Sequence, residues 1–162
     1  MVGAMVVMVL LLVGWVGFRS LTTQEPDSPV RTVDYRQVVG PARQAAPFDL
    51  VAPPRLPSGW RATSVDFNDQ SQPRWHLGVL TDRDRYVGLE QSKRPARQMV
   101  RQYVDKDASR GAPVQVAGTS WSTYTDRGGD LALVRKDGAT TTLVVGHDVA
   151  RSQLLAYTAS LR

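Results

Sequence analysis

The chain opens on an uninterrupted apolar run, Met1 to Phe18 (MVGAMVVMVLLLVGWVGF), with no charged side chain in eighteen positions. As a helix rising about 1.5 Å per residue it would span roughly 27 Å, close to the hydrocarbon thickness of a bilayer. A cleaved signal peptide needs a basic start and small residues at the cut. Here no Lys or Arg precedes the run, and Trp15, Phe18 and Leu21 spoil the cleavage pairs around residues 17–23. The pattern predicts an uncleaved, single-pass transmembrane anchor over 1–18, partnered by the lipid bilayer. From Arg19 to Thr32 (RSLTTQEPDSPVRT) periodicity disappears and two prolines interrupt the chain, so 19–32 reads as a flexible tether.

Beyond the tether the pattern becomes that of one folded domain, 33–162. Asp34 is placed to cap a short helix carrying Val38, Val39, Ala42, Ala45 and Ala46 on one side, with Gly40-Pro41 expected to shorten or kink it. A proline-rich stretch, Pro47 to Gly59, leads to alternating segments at Trp60–Phe67, Arg74–Thr81 and Arg85–Gln91, joined by turns at 68–73 and 82–84. These predict a three-stranded meander. Helical spacing follows over Ser92–Val104, where Ala96, Met99, Val100 and Tyr103 recur at one face. A second set of strands runs through Val114 and Val116, Ser120–Thr125, Leu131–Lys136 and Ala139–Val145. The last two flank Asp137-Gly138, a dipeptide suited to a type I′ hairpin. Asp148 is placed to cap a closing helix with Leu154, Leu155, Tyr157, Thr158 and Leu161 as its stripe. The fold class is α+β: an antiparallel sheet with helices packed on it, in two halves that each run from a strand meander into a helix.

Composition narrows the chemistry. The 20 basic and 15 acidic side chains all follow Phe18, so the net charge of +5 belongs to the part outside the apolar run. Seventeen bases are Arg and thirteen acids are Asp, a bias expected of a GC-rich genome as much as of function. With no cysteine there are no disulfides, thiol nucleophiles, lipoprotein attachment or Cys-based zinc sites. The two histidines, His76 and His147, have no metal-ligand spacing, and no cofactor motif is present, so neither metal nor cofactor is expected. Ser64, Asp66 and His76 assemble on paper into a nucleophile set, yet no G-x-S-x-G elbow presents the hydroxyl. Asp82-Arg-Asp84 and Asp105-Lys-Asp107 read as tight turns before metal sites, and Gly128-Gly129 as a hairpin turn without a phosphate-loop Lys.

Two groups of residues are candidate ligand or membrane-surface contacts. Lys93, Arg97 and Arg101 share a helical face with Arg94 beside it; the ordinary reading is a solvated face, the sharper one a contact with anionic lipid headgroups. Nucleic acid is a poor alternative, since no aromatic residues interleave the bases. Trp60, Trp75 and Trp121 each lie on a strand and are read first as core residues, with a shared aromatic groove for a peptide or glycan as the alternative. The expected function is a non-catalytic binding or sensing module at the cell envelope. An envelope hydrolase or transferase using Asp82, Asp84 or His76 is the alternative.

The segments VDYRQVVGPARQAAPFDLVAP, LPSGWRATSVDF, WHLGVLTDRDRYVGLEQS, VAGTSW and LALVRKDGATTTLVVGHD together resemble the actinobacterial domain-of-unknown-function 4245 family over Val33–Arg162. The resemblance implies one membrane-anchored domain on the outer side of the cytoplasmic membrane, and carries no established activity or catalytic residue. By charge alone, Arg19 and Arg31 would instead place the domain in the cytoplasm. Relatives are expected to show a basic leader ahead of the apolar run, which this chain lacks. In pattern only, the LP-x-GW opening and the closing strand, turn, strand and helix are similar to sensor-like domains attached to some anti-sigma factors.

Overall fold

The structure, a computed structural model, describes residues 31–162. The predicted anchor over 1–18 and most of the tether lie outside the described residues, and among those described no helix is long and apolar enough to cross a membrane. Residues 32–162 form one compact unit. Its elements in chain order are α1 (Arg36–Ala45), β1 (Arg61–Asn68), β2 (Arg74–Leu80), β3 (Tyr86–Ser92), α2 (Ala96–Tyr103), β4 (Ser109–Arg110), β5 (Val114–Val116), β6 (Thr119–Thr125), β7 (Asp130–Asp137), β8 (Thr140–His147) and α3 (Arg151–Ala159). All strands join one antiparallel sheet in the order β1-β2-β3-β8-β7-β6-β4, with β5 sharing the outer edge of β6. The α+β class and the two meanders are as the pattern predicts. The pairing that joins them is β3 to β8, from Val87 opposite Gly146 to Ser92 opposite Thr141.

Alternation assigns each strand residue to a face. Trp75, Leu77, Val79, Val87, Leu89, Leu133 and Val144 point to one side, where Tyr35 just ahead of α1, Ala42 within it, Leu50 and Ala52 of the proline-rich stretch, and Leu154 and Tyr157 of α3 complete the main core. On the other side Ala132, Val134, Leu143 and Val145 are covered by Met99 and Val100 of α2. That cover reaches only half the face. Over β1, β2 and β3 the same side carries Ser64, Asp66, His76 and Tyr86, none of them fully buried.

Several local expectations are corrected. Pro41 sits inside α1, which runs on through it to Ala45. Asp34 stands one residue outside the assigned cap and still accepts from the Arg36 backbone N–H at 3.2 Å. Asp148 does not cap α3: its φ is 52°, it pairs with Arg85 at 2.7 Å, and the helix starts from Ala150 without a side-chain cap. β3 continues to Ser92, so α2 begins only at Ala96, after Pro95. The β7–β8 loop is Gly138-Ala139, because Asp137 pairs with Thr140. Only Gly138 has positive φ, at 55°, which gives the glycine-first arrangement of a type II′ turn in place of I′. Both-positive chemistry occurs instead at Ala117-Gly118, with φ 48° and 78°, between β5 and β6.

Candidate functional site

The uncovered half of the second face holds a line of polar groups that the strand register brings together. In β1 the register slips between Ala62 and Ser64, a bulge of the kind that re-aims a side chain. Beyond it Ser64 lies opposite Gly78 and next to His76, which faces Glu90 across the β2–β3 pair. Ser64 Oγ is 2.8 Å from His76 Nε2, and His76 Nδ1 is bonded to Glu90 Oε1. A carboxylate only accepts, so the neutral ring carries its proton on Nδ1 and turns the Nε2 lone pair toward the serine hydroxyl. Glu90 is 2 % exposed, and its second oxygen is buried with no hydrogen-bond partner among the described residues. Its one strong bond is therefore the one to His76.

Tyr86 and two glycines complete this patch. A Cβ on Gly78 would stand 2.3 Å from Ser64 Oγ and 3.1 Å from the Tyr86 hydroxyl, and one on Gly88 would stand 3.2 Å from that same hydroxyl. Gly78 pairs with Gly88 across the strands, so the missing side chains leave a floor over which the Tyr86 ring and the Ser64 hydroxyl both lie. Burial, and after it the negative charge of Glu90, pushes the Tyr86 phenol up to about 12, so it remains a donor at neutral pH. At the rim, Arg74 binds Asp66 at 2.9 Å, and that bond, then the Tyr103 hydroxyl, holds its guanidinium above the ordinary value. Burial, and then Glu90, raises the Tyr103 phenol as well.

The sequence-predicted residues fall in different places. Trp75 is fully buried, Trp121 is buried with the Arg135 guanidinium 5.4 Å over its ring, and Trp60 stacks on Tyr157 at 5.7 Å, so the three share no groove. Arg97 and Arg101 are exposed on α2 opposite Met99 and Val100. Arg94 is tied down instead, donating to Gln72 Oε1 at 3.0 Å and Gln102 Oε1 at 2.8 Å. Asp82 and Asp84 sit at the turn end of the β2–β3 hairpin, where Asp84 pairs with Arg61 at 2.6 Å, and they do not converge with His76. Of the paper set Ser64, Asp66 and His76, the first and last do meet, but Asp66 turns to Arg74 and Glu90 takes the carboxylate position. His147 bonds Asp130 Oδ1 at 2.6 Å and lies against the Tyr86 ring at 5.5 Å.

Volume and chemistry do not coincide. A cleft of about 530 Å³ runs between α1 and β1, lined by Tyr35, Arg55, Trp60 and Arg61 among others, and one of about 460 Å³ lies beside Arg43, Asp49, Gln91 and Arg135. Neither holds a nucleophile beside a base, so the Ser64 patch is the better candidate. No three His, Asp or Glu among the described residues lie close enough to hold a metal ion.

No curated protein and no solved structure matches the chain. The family profile described as "Protein of unknown function (DUF4245)" matches residues 1–160, almost the whole sequence, and the chain belongs to that family.

Proposed function

We propose that the protein is a membrane-held module of the cell envelope whose folded domain, residues 33–162, takes a small polar ligand on the open half of the sheet over β1, β2 and β3. The anchor rests on the eighteen-residue apolar run and the outward placement on the family likeness. One observation carries the site: a buried glutamate and a histidine are lined up behind a part-buried hydroxyl on the half of the face that α2 does not cover. Folding a carboxylate into a sheet with one oxygen unpartnered costs stability, and such costs collect at functional sites. The ligand is an envelope glycan, peptide or lipid headgroup presenting hydroxyl or carbonyl groups.

A panel of polar fragments added to the isotope-labelled full chain in detergent micelles tests this by amide chemical shifts. Changes should centre on Ser64, His76, Tyr86 and Glu90. Changes centred on the cleft beside Trp60 and Arg55, or none at all, would move the ligand site elsewhere.

A further inference from the structure

The Ser64 patch has more than the makings of a binding surface. A serine hydroxyl is a poor nucleophile until a neighbouring base takes its proton, and the base works only when a third group fixes its tautomer and orientation. All three relations are present: Oγ to Nε2 at 2.8 Å, Nδ1 to a carboxylate, and that carboxylate locked between β2 and β8 at 2 % exposure. This constellation is recognised by geometry and not by chain position, and it recurs on unrelated folds with Glu in place of Asp. Acyl transfer also needs a donor for the oxyanion. One point above Gly78 is 2.3 Å from Ser64 Oγ and 3.1 Å from the Tyr86 hydroxyl, so the phenol stands beside the nucleophile.

We propose that Ser64 is the nucleophile of an acyl-transfer site for short-chain carboxylic esters, with His76 as general base, Glu90 as its positioning residue and Tyr86 as oxyanion donor. This rests on the reading of the open face as the ligand site. In the first step Ser64 Oγ bonds to the ester carbonyl carbon while its proton passes to His76 Nε2, and the carbonyl oxygen becomes an oxyanion held by the Tyr86 O–H. Collapse breaks the bond to the alcohol oxygen, which leaves with the proton from His76 and gives acyl-Ser64. Water then attacks the acyl carbon and passes its proton to His76; collapse breaks the bond from the acyl carbon to Ser64 Oγ, which takes that proton back from His76 Nε2 as the acid leaves. The acyl group is short, because the Tyr86 ring already lies over the two paired glycines beside Ser64, and the Arg74–Asp66 pair stands next to His76. Neither larger cleft has Ser64 in its wall.

Full-length protein in detergent micelles, treated with a fluorophosphonate and digested for mass spectrometry, should carry one adduct, on Ser64. Hydrolysis of p-nitrophenyl acetate should exceed that of Ser64→Ala by at least a hundredfold. Glu90→Gln should lose more than tenfold in kcat and Tyr86→Phe about tenfold, with melting temperatures showing both folded. Asp107→Asn, at an exposed carboxylate between α2 and β4 that pairs with Lys106, should keep the wild-type rate. Adducts only at other residues, no adduct on folded protein, or Ser64→Ala hydrolysing as fast as wild type would each overturn the proposal. If fragments still perturb Ser64 and Glu90 resonances while no adduct forms, the catalytic assignment falls and the binding reading stands. If neither occurs, both fall.

Discussion

Glu90 stands outside the sequence-predicted set of Ser64, Asp66 and His76, although two features set it apart. It is one of only two glutamates in a chain with thirteen aspartates, so it departs from the prevailing bias, and it stands inside an alternating strand. The three-residue turn at 82–84 also sets the β2–β3 register, which puts Glu90 opposite His76. Ser64 was obscured because its contact with His76 is diagonal and depends on the bulge at Thr63, which no pattern of apolar residues announces. Tyr157 raises a different question, since its ring is fully buried and its hydroxyl has no hydrogen-bond partner among the described residues. An unpaired buried hydroxyl costs about 1 to 3 kcal/mol, so Tyr157→Phe should hold or raise stability in urea unfolding, by about 1 kcal/mol. A loss greater than that would show that the hydroxyl is bonded after all. Burial also raises the Tyr157 phenol far above its ordinary range, as it raises Tyr86 to about 12. Both groups favour the fold while neutral: their contribution is intact below the unfolded value near 10 and drains away as pH climbs through the folded values. The melting temperature should therefore fall steeply above about pH 10, and less steeply in Tyr157→Phe.

Elements were legible where one face alone is buried. Trp75, Leu77 and Val79 are buried and alternate with the half-exposed Arg74, His76 and Leu80, Gly78 being the one buried residue on the opposite face, and the helix stripe of Met99 and Val100 is as spaced. Boundaries were not legible where turn chemistry admits two solutions, as at Asp137-Gly138. Moving the loop to Gly138-Ala139 shifts each strand end by one residue, so pairing partners change while every side chain keeps its face. Gly138→Ala should cost about 1 to 2 kcal/mol, since a Cβ disfavours its φ of 55°, whereas Asp137→Ala should stay within about 0.5 kcal/mol. Equal losses at the two positions in urea unfolding would restore the type I′ turn. On α2, Arg97 and Arg101 project away from the core, so replacing both with Gln should leave stability within roughly 0.5 kcal/mol each. If this face meets anionic headgroups, at about 1 kcal/mol per charge, the double variant should bind anionic vesicles roughly thirtyfold more weakly at low salt, with the gap closing as salt rises. Equal vesicle binding would leave Arg97 and Arg101 as a solvated face.

For the whole molecule, each meander could be read locally, but the seam between β3 and β8 joins segments some fifty residues apart and was fixed by no local pattern. Strand edges of similar alternation compete for such a place, and the choice is made by packing across the sheet. One long-range feature bears on where the domain begins. Val33 N–H donates to the Ala62 carbonyl at 2.9 Å, Tyr35 is 5 % exposed with its hydroxyl 2.8 Å from the Pro53 carbonyl, and Ala42 is 3 % exposed. At the other end Arg162 exchanges backbone hydrogen bonds with Ala52, and the Arg43 guanidinium donates to its carbonyl at 2.5 Å. Tyr35 near the start of the domain and Arg162 are thus both fastened to the same proline-rich stretch, at Pro53 and Ala52. Removing residues 1–32 spares all of these contacts and should leave a monomer with one sharp unfolding transition. Removing residues 1–46 takes away Tyr35, Ala42 and the brace on the carboxyl terminus together; truncating one buried aromatic alone commonly costs about 3 to 5 kcal/mol, so this form should melt far lower or not fold. The comparison is made by thermal denaturation of the two truncated chains. Similar melting temperatures for both would show that α1 is an appendage and that the domain begins at the proline-rich stretch, whereas loss of cooperativity in the 1–32 deletion would mean that the fold depends on what precedes Val33.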